Sequence, residues 1–243
     1  MEPSDISRQA WADHKMSFIG VVCGLKSEAR VVDRAVNDTR VRVGVSGANA
    51  KRAEEIADQF VAAGARALFS VGVSGGLDPK LHPGDLIIAD AVIDAAGEPL
   101  FCDERLLESI PVGDARGARG RIFGSDLLIT GAAEKARLFE STMALAVDME
   151  SHGAARVSAR ANIPFLAVRA IADPADRALP SAAANAVAPD GSTRVLKTIE
   201  AAMRDPKQFP ELMKLGADSA AALKTLRGNL GPIFQRLYDA LDL

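Results

Sequence analysis

The sequence predicts an α/β fold: a single domain with a mixed, largely parallel central sheet flanked by helices, followed by a helical C-terminal segment. Three observations carry that prediction. From Phe18 to Asp173 short apolar runs alternate with longer stretches of helical spacing, the pattern of βαβ units. Those runs are apolar throughout rather than every second residue, as expected of strands covered by helices on both faces. Beyond Asp173 the strand signals stop, and residues 192–243 carry only helical ones. With 243 residues, 48% hydrophobic and 25% charged, the chain can bury a full core, which excludes disorder as its main state.

The elements follow in order. Residues 1–16 are polar and read as a flexible tail carrying the only tryptophan, Trp11, leaving 17–243 as the folded unit. Phe18–Cys23 reads as a buried strand, Lys26–Arg34 as a helix and Val41–Val45 as a second strand. Ala50–Ala63 places Ile56, Phe60 and Val61 at helical spacing and stops at Gly64, a C-terminal cap. Ala67–Val73 is a strand of small and β-branched residues, followed by SGGLDP, a turn cluster. Leu86–Ile93 is a strand. Residues 94–120 are connections around a short helix, Asp103–Ser109. Arg121–Phe123 is a short strand, Gly131–Phe139 a helix, Leu145–Asp148 a strand, Ser151–Ala161 a helix and Phe165–Ile171 a strand. Residues 174–191 are small, Pro-bounded and loop-like, either a lid or plain packing segments. The helical extension from about 192 is expected to break at Pro206, Pro210 and Gly228–Pro232.

Composition narrows the function. Lys and Arg number 29 against 32 Asp and Glu, a net charge of −3, and no basic block appears. That excludes an electrostatic nucleic-acid binder. The first fifteen residues lack the apolar stretch of a signal peptide, and no run approaches the ~18 apolar residues of a membrane span. The expectation is a soluble cytoplasmic protein, with peripheral membrane contact left open. Cys23 and Cys102 form no disulfide framework, and Cys23 reads as a buried, inert thiol.

In parallel sheets ligands bind beyond the carboxyl ends of the strands, so the residues following each strand matter most. Glu28 follows the first strand, Ser74-Gly75-Gly76 the third, Asp148-Met149-Glu150 the short strand before Ser151, and Asp173 the last. Three carboxylates, Glu28, Glu150 and Asp173, and one Gly-rich segment would gather on one edge. That set suits breaking an N-glycosidic bond, which passes through an oxocarbenium-like sugar. A carboxylate such as Glu150 can accept hydrogen bonds from both vicinal ribose hydroxyls. A carboxylic acid raised by burial, such as Asp173, can protonate the departing purine at N7. The chemistry requires no metal and no cofactor. Taken singly, each residue also has a structural reading. Ser-Gly-Gly serves as a turn, Glu150 and Asp173 as helix N-caps or first-turn residues, and Glu28 as a first-turn carboxylate. His14, His82 and His152 show no metal-ligand spacing, and His152 reads as an exposed helical residue.

Three runs resemble a known family. GVSGGLDPKLHPGDLIIAD looks like the signature loop and following strand of the nucleoside phosphorylase and nucleosidase superfamily. AVDMESHGAARVSARANIPFLAVRAIADPAD looks like its Met-Glu ribose motif and the strand ending in its catalytic Asp. FIGVVCGLKSEA resembles the opening of methylthioadenosine/S-adenosylhomocysteine nucleosidases. Within the superfamily, CGLKSEAR, VDMES and RAIADPADRALP are most similar to the hopanoid-associated phosphorylases. Those enzymes release adenine from adenosylhopane, a triterpenoid with an adenosine head, in hopanoid biosynthesis.

The resemblance assigns roles by position. It implies Glu150 as the ribose carboxylate with Met149 packing on the sugar, Asp173 as the purine N7 acid and Glu28 as the group activating the nucleophile. Ser74, Gly75 and Gly76 fall in the ribose and nucleophile loop. Leu127 and Leu128 fall where relatives place an aromatic residue against the base. Hexameric purine nucleoside phosphorylases bind phosphate with an Arg three residues before a Ser. Those positions read Ser70 and Val73 here, which leaves phosphate or water open as nucleophile. Inorganic phosphate is a candidate co-substrate, with Arg30, Arg42 or Arg169 as alternative ligands. The implied partner is an adenosine-type small molecule, with or without a hopane tail, and the implied assembly a homo-oligomer. A methylthioadenosine/S-adenosylhomocysteine nucleosidase and a non-catalytic nucleoside-binding protein are the rival readings.

Overall fold

The computed structural model describes residues 17–111, 117–183, 187–193 and 205–243. The expected 1–16 tail, residues 184–186 of the 174–191 segment and residues 194–204 of the helical extension lie outside them. The first described element is β1 (Phe18–Cys23), buried at every position. Its continuous FIGVVC run has no polar face to turn to solvent, so it must lie between two layers. In chain order there follow α1 (Lys26–Val36), β2 (Val41–Val45), α2 (Ala50–Ala62), β3 (Ala65–Gly76) and β4 (Leu86–Ile93). Then come β5 (Pro99–Phe101), α3 (Glu104–Ser109), β6 (Gly117–Gly124), α4 (Ala132–Thr142), β7 (Ala146–Asp148), α5 (Ser151–Ala161), β8 (Phe165–Asp173) and α6 (Phe209–Leu241).

The sheet is mixed and largely parallel. β1 lies between β2 and β3, both parallel to it, and β3 pairs in parallel with β8. β8 turns antiparallel to β4, β4 runs parallel to β6, β6 parallel to β7, and β7 returns antiparallel to β3. Those pairings close β3, β8, β4, β6 and β7 into a ring, which removes most free edges. Inside the core, Phe69 of β3 stacks at 5.6 Å on Phe234 of α6, and Leu226, Leu230 and Leu237 continue the same helix stripe. Cys23 and Cys102 are both buried and unpaired; burial drives both thiols upward, Cys102 to about 12.

Three departures from the sequence reading have physical causes. The Ser74-Gly75-Gly76 segment is the end of β3 rather than a turn, because β7 and β8 pair with it on both sides. β5 was hidden by its Pro99 start and three-residue length; it hangs on the edge of β4. The C-terminal region is one 33-residue helix, with Pro210 in its first turn and Pro232 inside it. A proline at the helix start loses no hydrogen bond. At Pro232 the preceding Gly231 carries no Cβ to clash with the ring, and the ring faces the carbonyl of another glycine, Gly228.

Candidate active site

The ends of β3, β7 and β8 meet through two short registers. Gly75 pairs with Val147 of β7, and across a shift between Ser74 and Gly75 it pairs with Asp173 of β8. β7 runs antiparallel to β3, yet it is so short that its Asp148-Met149-Glu150 continuation still falls beside the end of β3. The result is a cavity of about 380 Å³ that collects Glu28, Ser74, Gly75, Leu127, Leu128, Met149, Glu150 and Asp173. Gly76 is buried next to it and does not line it. The remaining wall includes Leu25, Val73, Leu179, Val187 and, from α6, Leu215 and Ser219.

Each carboxylate is held by a distinct local device. Glu28 sits in the first turn of α1 and accepts hydrogen bonds from the amide of Leu25 at 2.8 Å and from that of Val73 at 2.8 Å. It therefore caps its own helix and ties it to β3, the structural reading, while still lining the cavity. A Cβ on Gly72 would lie 2.8 Å from the Glu28 carboxyl, so only glycine lets β3 pass so close. Glu150 occupies the N-cap position of α5, but its side chain does not cap. Asp148 does that work, accepting from the amides of Glu150 and Ser151 at 3.2 and 3.1 Å and from the Ser151 hydroxyl at 2.7 Å. Glu150 is thereby left free for the cavity, and among the described residues its carboxylate accepts one hydrogen bond, from the Met149 amide at 3.3 Å. Gly24 closes in from β1's end, where a Cβ would fall 2.3 Å from Glu150 Oε1.

Arg169 of β8 is fully buried beneath this cluster. Its Nη2 pairs with Asp148 at 2.6 Å, donates to Ser70 Oγ at 2.6 Å and stands 4.0 Å from Glu150. The phosphate alternatives are thus accounted for structurally: Arg169 is engaged with Asp148 and Ser70, Arg30 is exposed on α1, and Arg42 stacks at 3.9 Å on the Phe18 ring. One guanidinium shared with Asp148 does not offset the loss of water around Glu150 and Glu28. Burial, reinforced by Asp148 and Glu28, pushes Glu150 up to about 8. Burial also raises Glu28, against the pull of its backbone hydrogen bonds and Arg169.

Asp173 ends β8 and caps no helix. Burial raises its carboxyl, while Lys135 and Arg177 work the other way. Oδ2 is ion-paired with Lys135 of α4, whereas Oδ1 is buried with no hydrogen-bond partner among the described residues. Ser74 Oγ is in the same condition. Both residues line the cavity, and a buried polar atom with no protein partner calls for a water or a ligand. Lys135 is the functional neighbour that the sequence concealed, since GAAEKARLFE gives it the spacing of an ordinary surface lysine. His152 is likewise buried, not exposed: α5 turns it inward beneath Gly124, and its Nε2 lies 3.0 Å from Asp126. Among the described residues, no group of three or more His, Cys, Asp or Glu is arranged to hold a metal ion. Nor is any helix there long and apolar enough to cross a membrane.

An α/β domain with a sheet-edge cavity that gathers Glu28, Glu150 and Asp173 has the layout of an enzyme acting on glycosidic bonds. The chain belongs to the phosphorylase superfamily, whose family model matches residues 26–204. Solved structures agree on the fold. Futalosine hydrolase of Helicobacter pylori aligns with a TM-score of 0.67 at 16% identity, covering 93% of this chain and 99% of its own. The S-adenosylhomocysteine nucleosidase of Streptococcus pyogenes aligns at 0.58 and 18% identity over 88% and 98%. The Helicobacter pylori 5′-methylthioadenosine/S-adenosylhomocysteine nucleosidase aligns at 0.62 and 16% over 87% and 97%.

Proposed function

We propose that this protein cleaves the N-glycosidic bond of an adenosine-type nucleoside whose 5′ position bears a large apolar group, adenosylhopane, releasing adenine in hopanoid biosynthesis. The observation that carries the reading is the composition of one cavity: acidic at its floor and apolar at its mouth. Glu28, Glu150 and Asp173 supply the floor, while Leu127, Leu128, Leu179, Val187 and Leu215 contribute to the wall. Leu127 is 74% exposed and Leu128 43%, an apolar surface that stays wet unless an apolar substituent covers it. The same exposure argues for a 5′ contact over the base contact that the family pattern implies for these two leucines.

In this reading Glu150 accepts hydrogen bonds from the 2′- and 3′-hydroxyls, with Met149 against the sugar. Asp173 gives its proton to purine N7 as the C1′–N9 bond breaks and the bonding pair leaves with adenine. The ribosyl cation is stabilised by the surrounding carboxylates and captured by an oxygen nucleophile at C1′, positioned by Ser74 and, in its ionised form, Glu28. Whether that oxygen belongs to water or phosphate is read from the product.

The test is adenine release from adenosylhopane and, in parallel, methylthioadenosine, each with and without inorganic phosphate, with the sugar product weighed by mass spectrometry. Preference for adenosylhopane by at least tenfold in kcat/KM is expected. A ribosyl phosphate formed only with phosphate makes the reaction phosphorolysis, and a free ribosyl product makes it hydrolysis. Preference for methylthioadenosine refutes the hopane substrate. Tight adenosine binding without adenine release refutes catalysis altogether.

A further inference from the structure

Lys135 is the one residue of α4 that is wholly buried. Its ammonium has three N–H groups and three acceptors: Asp173 Oδ2, the Pro174 carbonyl at 2.9 Å and the Arg177 carbonyl at 2.9 Å. Every donor is matched, so the group is fixed in direction as well as place. Its effect on Asp173 is asymmetric. Oδ2 is occupied, Oδ1 is buried without a hydrogen-bond partner among the described residues, and the residue itself lines the cavity.

We propose that Lys135 is a positioning residue for proton delivery, locking Asp173 Oδ2 so that the proton is carried on Oδ1, toward the leaving base. The inference rests on Asp173 being the acid of the proposed reaction. In the step, the Oδ1–H bond breaks, the N7–H bond forms, and C1′–N9 breaks with its electron pair moving into the base. The carboxylate left behind is paired with the Lys135 ammonium, which stabilises the negative charge that develops on Asp173 as the proton leaves. A lysine serving only to pin the 174–177 segment would leave proton delivery untouched, and that difference is measurable.

The charged groups facing Asp173 are Lys135 from α4, Arg177 from the segment after β8 and Asp218 from α6. Arg177 and Asp218 pair with each other at 2.7 Å, so Lys135 is the charge whose removal matters most. The acid works only when protonated, so the rate falls as pH rises through its pKa. Removing the ammonium moves that pKa upward and shifts the alkaline limb to higher pH, with a lower plateau.

The experiment compares Lys135→Met, Lys135→Arg and Asp173→Asn on the purine nucleoside and on 4-nitrophenyl riboside, whose leaving group needs no proton. Lys135→Met is expected to lower the purine-to-nitrophenyl ratio of kcat about 100-fold, with KM within threefold and the alkaline limb displaced upward. Lys135→Arg keeps the charge but not the three-acceptor fit; it is expected to lower the ratio with the limb in place, and it carries the test if the Met variant does not fold. Equal loss on both substrates, or a normal ratio and limb beside a damaged Asp173→Asn, overturns the role of Lys135 alone. A normal ratio in Asp173→Asn overturns the acid assignment beneath it.

Discussion

Replacing Glu150 by glutamine keeps the shape of the side chain and removes its titration. In the folded protein burial and two neighbouring carboxylates raise that group from 4.5 to about 8. Between those values the folded state holds a proton that the unfolded chain has already lost. Wild-type stability must therefore decline as pH rises through that window, by about 1.4 kcal/mol per pH unit, and level off above the folded pKa. Across the whole window the loss is on the order of 5 kcal/mol, a large part of the stability of an ordinary domain. Glutamine escapes it, so the difference in unfolding free energy between Glu150→Gln and wild type should grow steadily from pH 5 to 8 and then flatten. Urea unfolding at pH 5, 6, 7, 8 and 9 measures it directly, with the m-value as a check on two-state behaviour. A variant that is more stable above pH 8 yet inactive would show that the site's geometry is kept at a cost to stability. A difference that stays flat across those five pH values would refute the electrostatic reasoning.

Three further outcomes follow from the same cluster. Arg169→Met leaves Asp148 buried without a cation and should cost about 3–5 kcal/mol in chemical denaturation; a loss below about 1 kcal/mol would contradict a buried pair. Gly24→Ala places a methyl 2.3 Å from Glu150 Oε1 and should lower kcat/KM at least about tenfold while the melting temperature changes little, with full activity as the contrary result. Because ribose hydroxyls favour the ionised carboxylate, nucleoside binding below pH 8 should release a proton and tighten with rising pH. Calorimetry in two buffers of different ionisation enthalpy reads that proton, and zero release would count against Glu150 as the ribose acceptor.

Much of this arrangement was legible in the residues because strand periodicity and strand ends are written locally. FIGVVC and FLAVRAIAD announce buried strands, and Glu28 after the first and Asp173 at the end of the second need only the rule for parallel sheets to be placed on one edge. The Gly-rich segment was found for the right reason and given the wrong form: pairing on both sides made it strand. What escaped depends on tertiary packing. Lys135, Arg169 and His152 carry polar side chains at helix or strand positions where the sequence shows no difference between solvent and core. The partners that satisfy them, Asp173 with the Pro174 and Arg177 carbonyls for Lys135, Asp148 and Ser70 for Arg169, and Asp126 for His152, lie far away in the sequence. The length of α6 is hard to read because a proline's effect depends on its neighbours, and Gly231 before Pro232 with Gly228 four residues back makes that proline tolerable. Asp148 took the capping role that the pattern offered to Glu150, a division of labour visible only in hydrogen bonds.

The central claim is that Asp173 protonates the departing purine, and its most direct test is single-turnover adenine release by wild type and Asp173→Asn with adenosylhopane at saturation. The asparagine matches the carboxyl in size but cannot supply the proton. The account predicts a rate lower by at least about 100-fold with adenosine affinity held within threefold. Adenine release at the wild-type rate would contradict it.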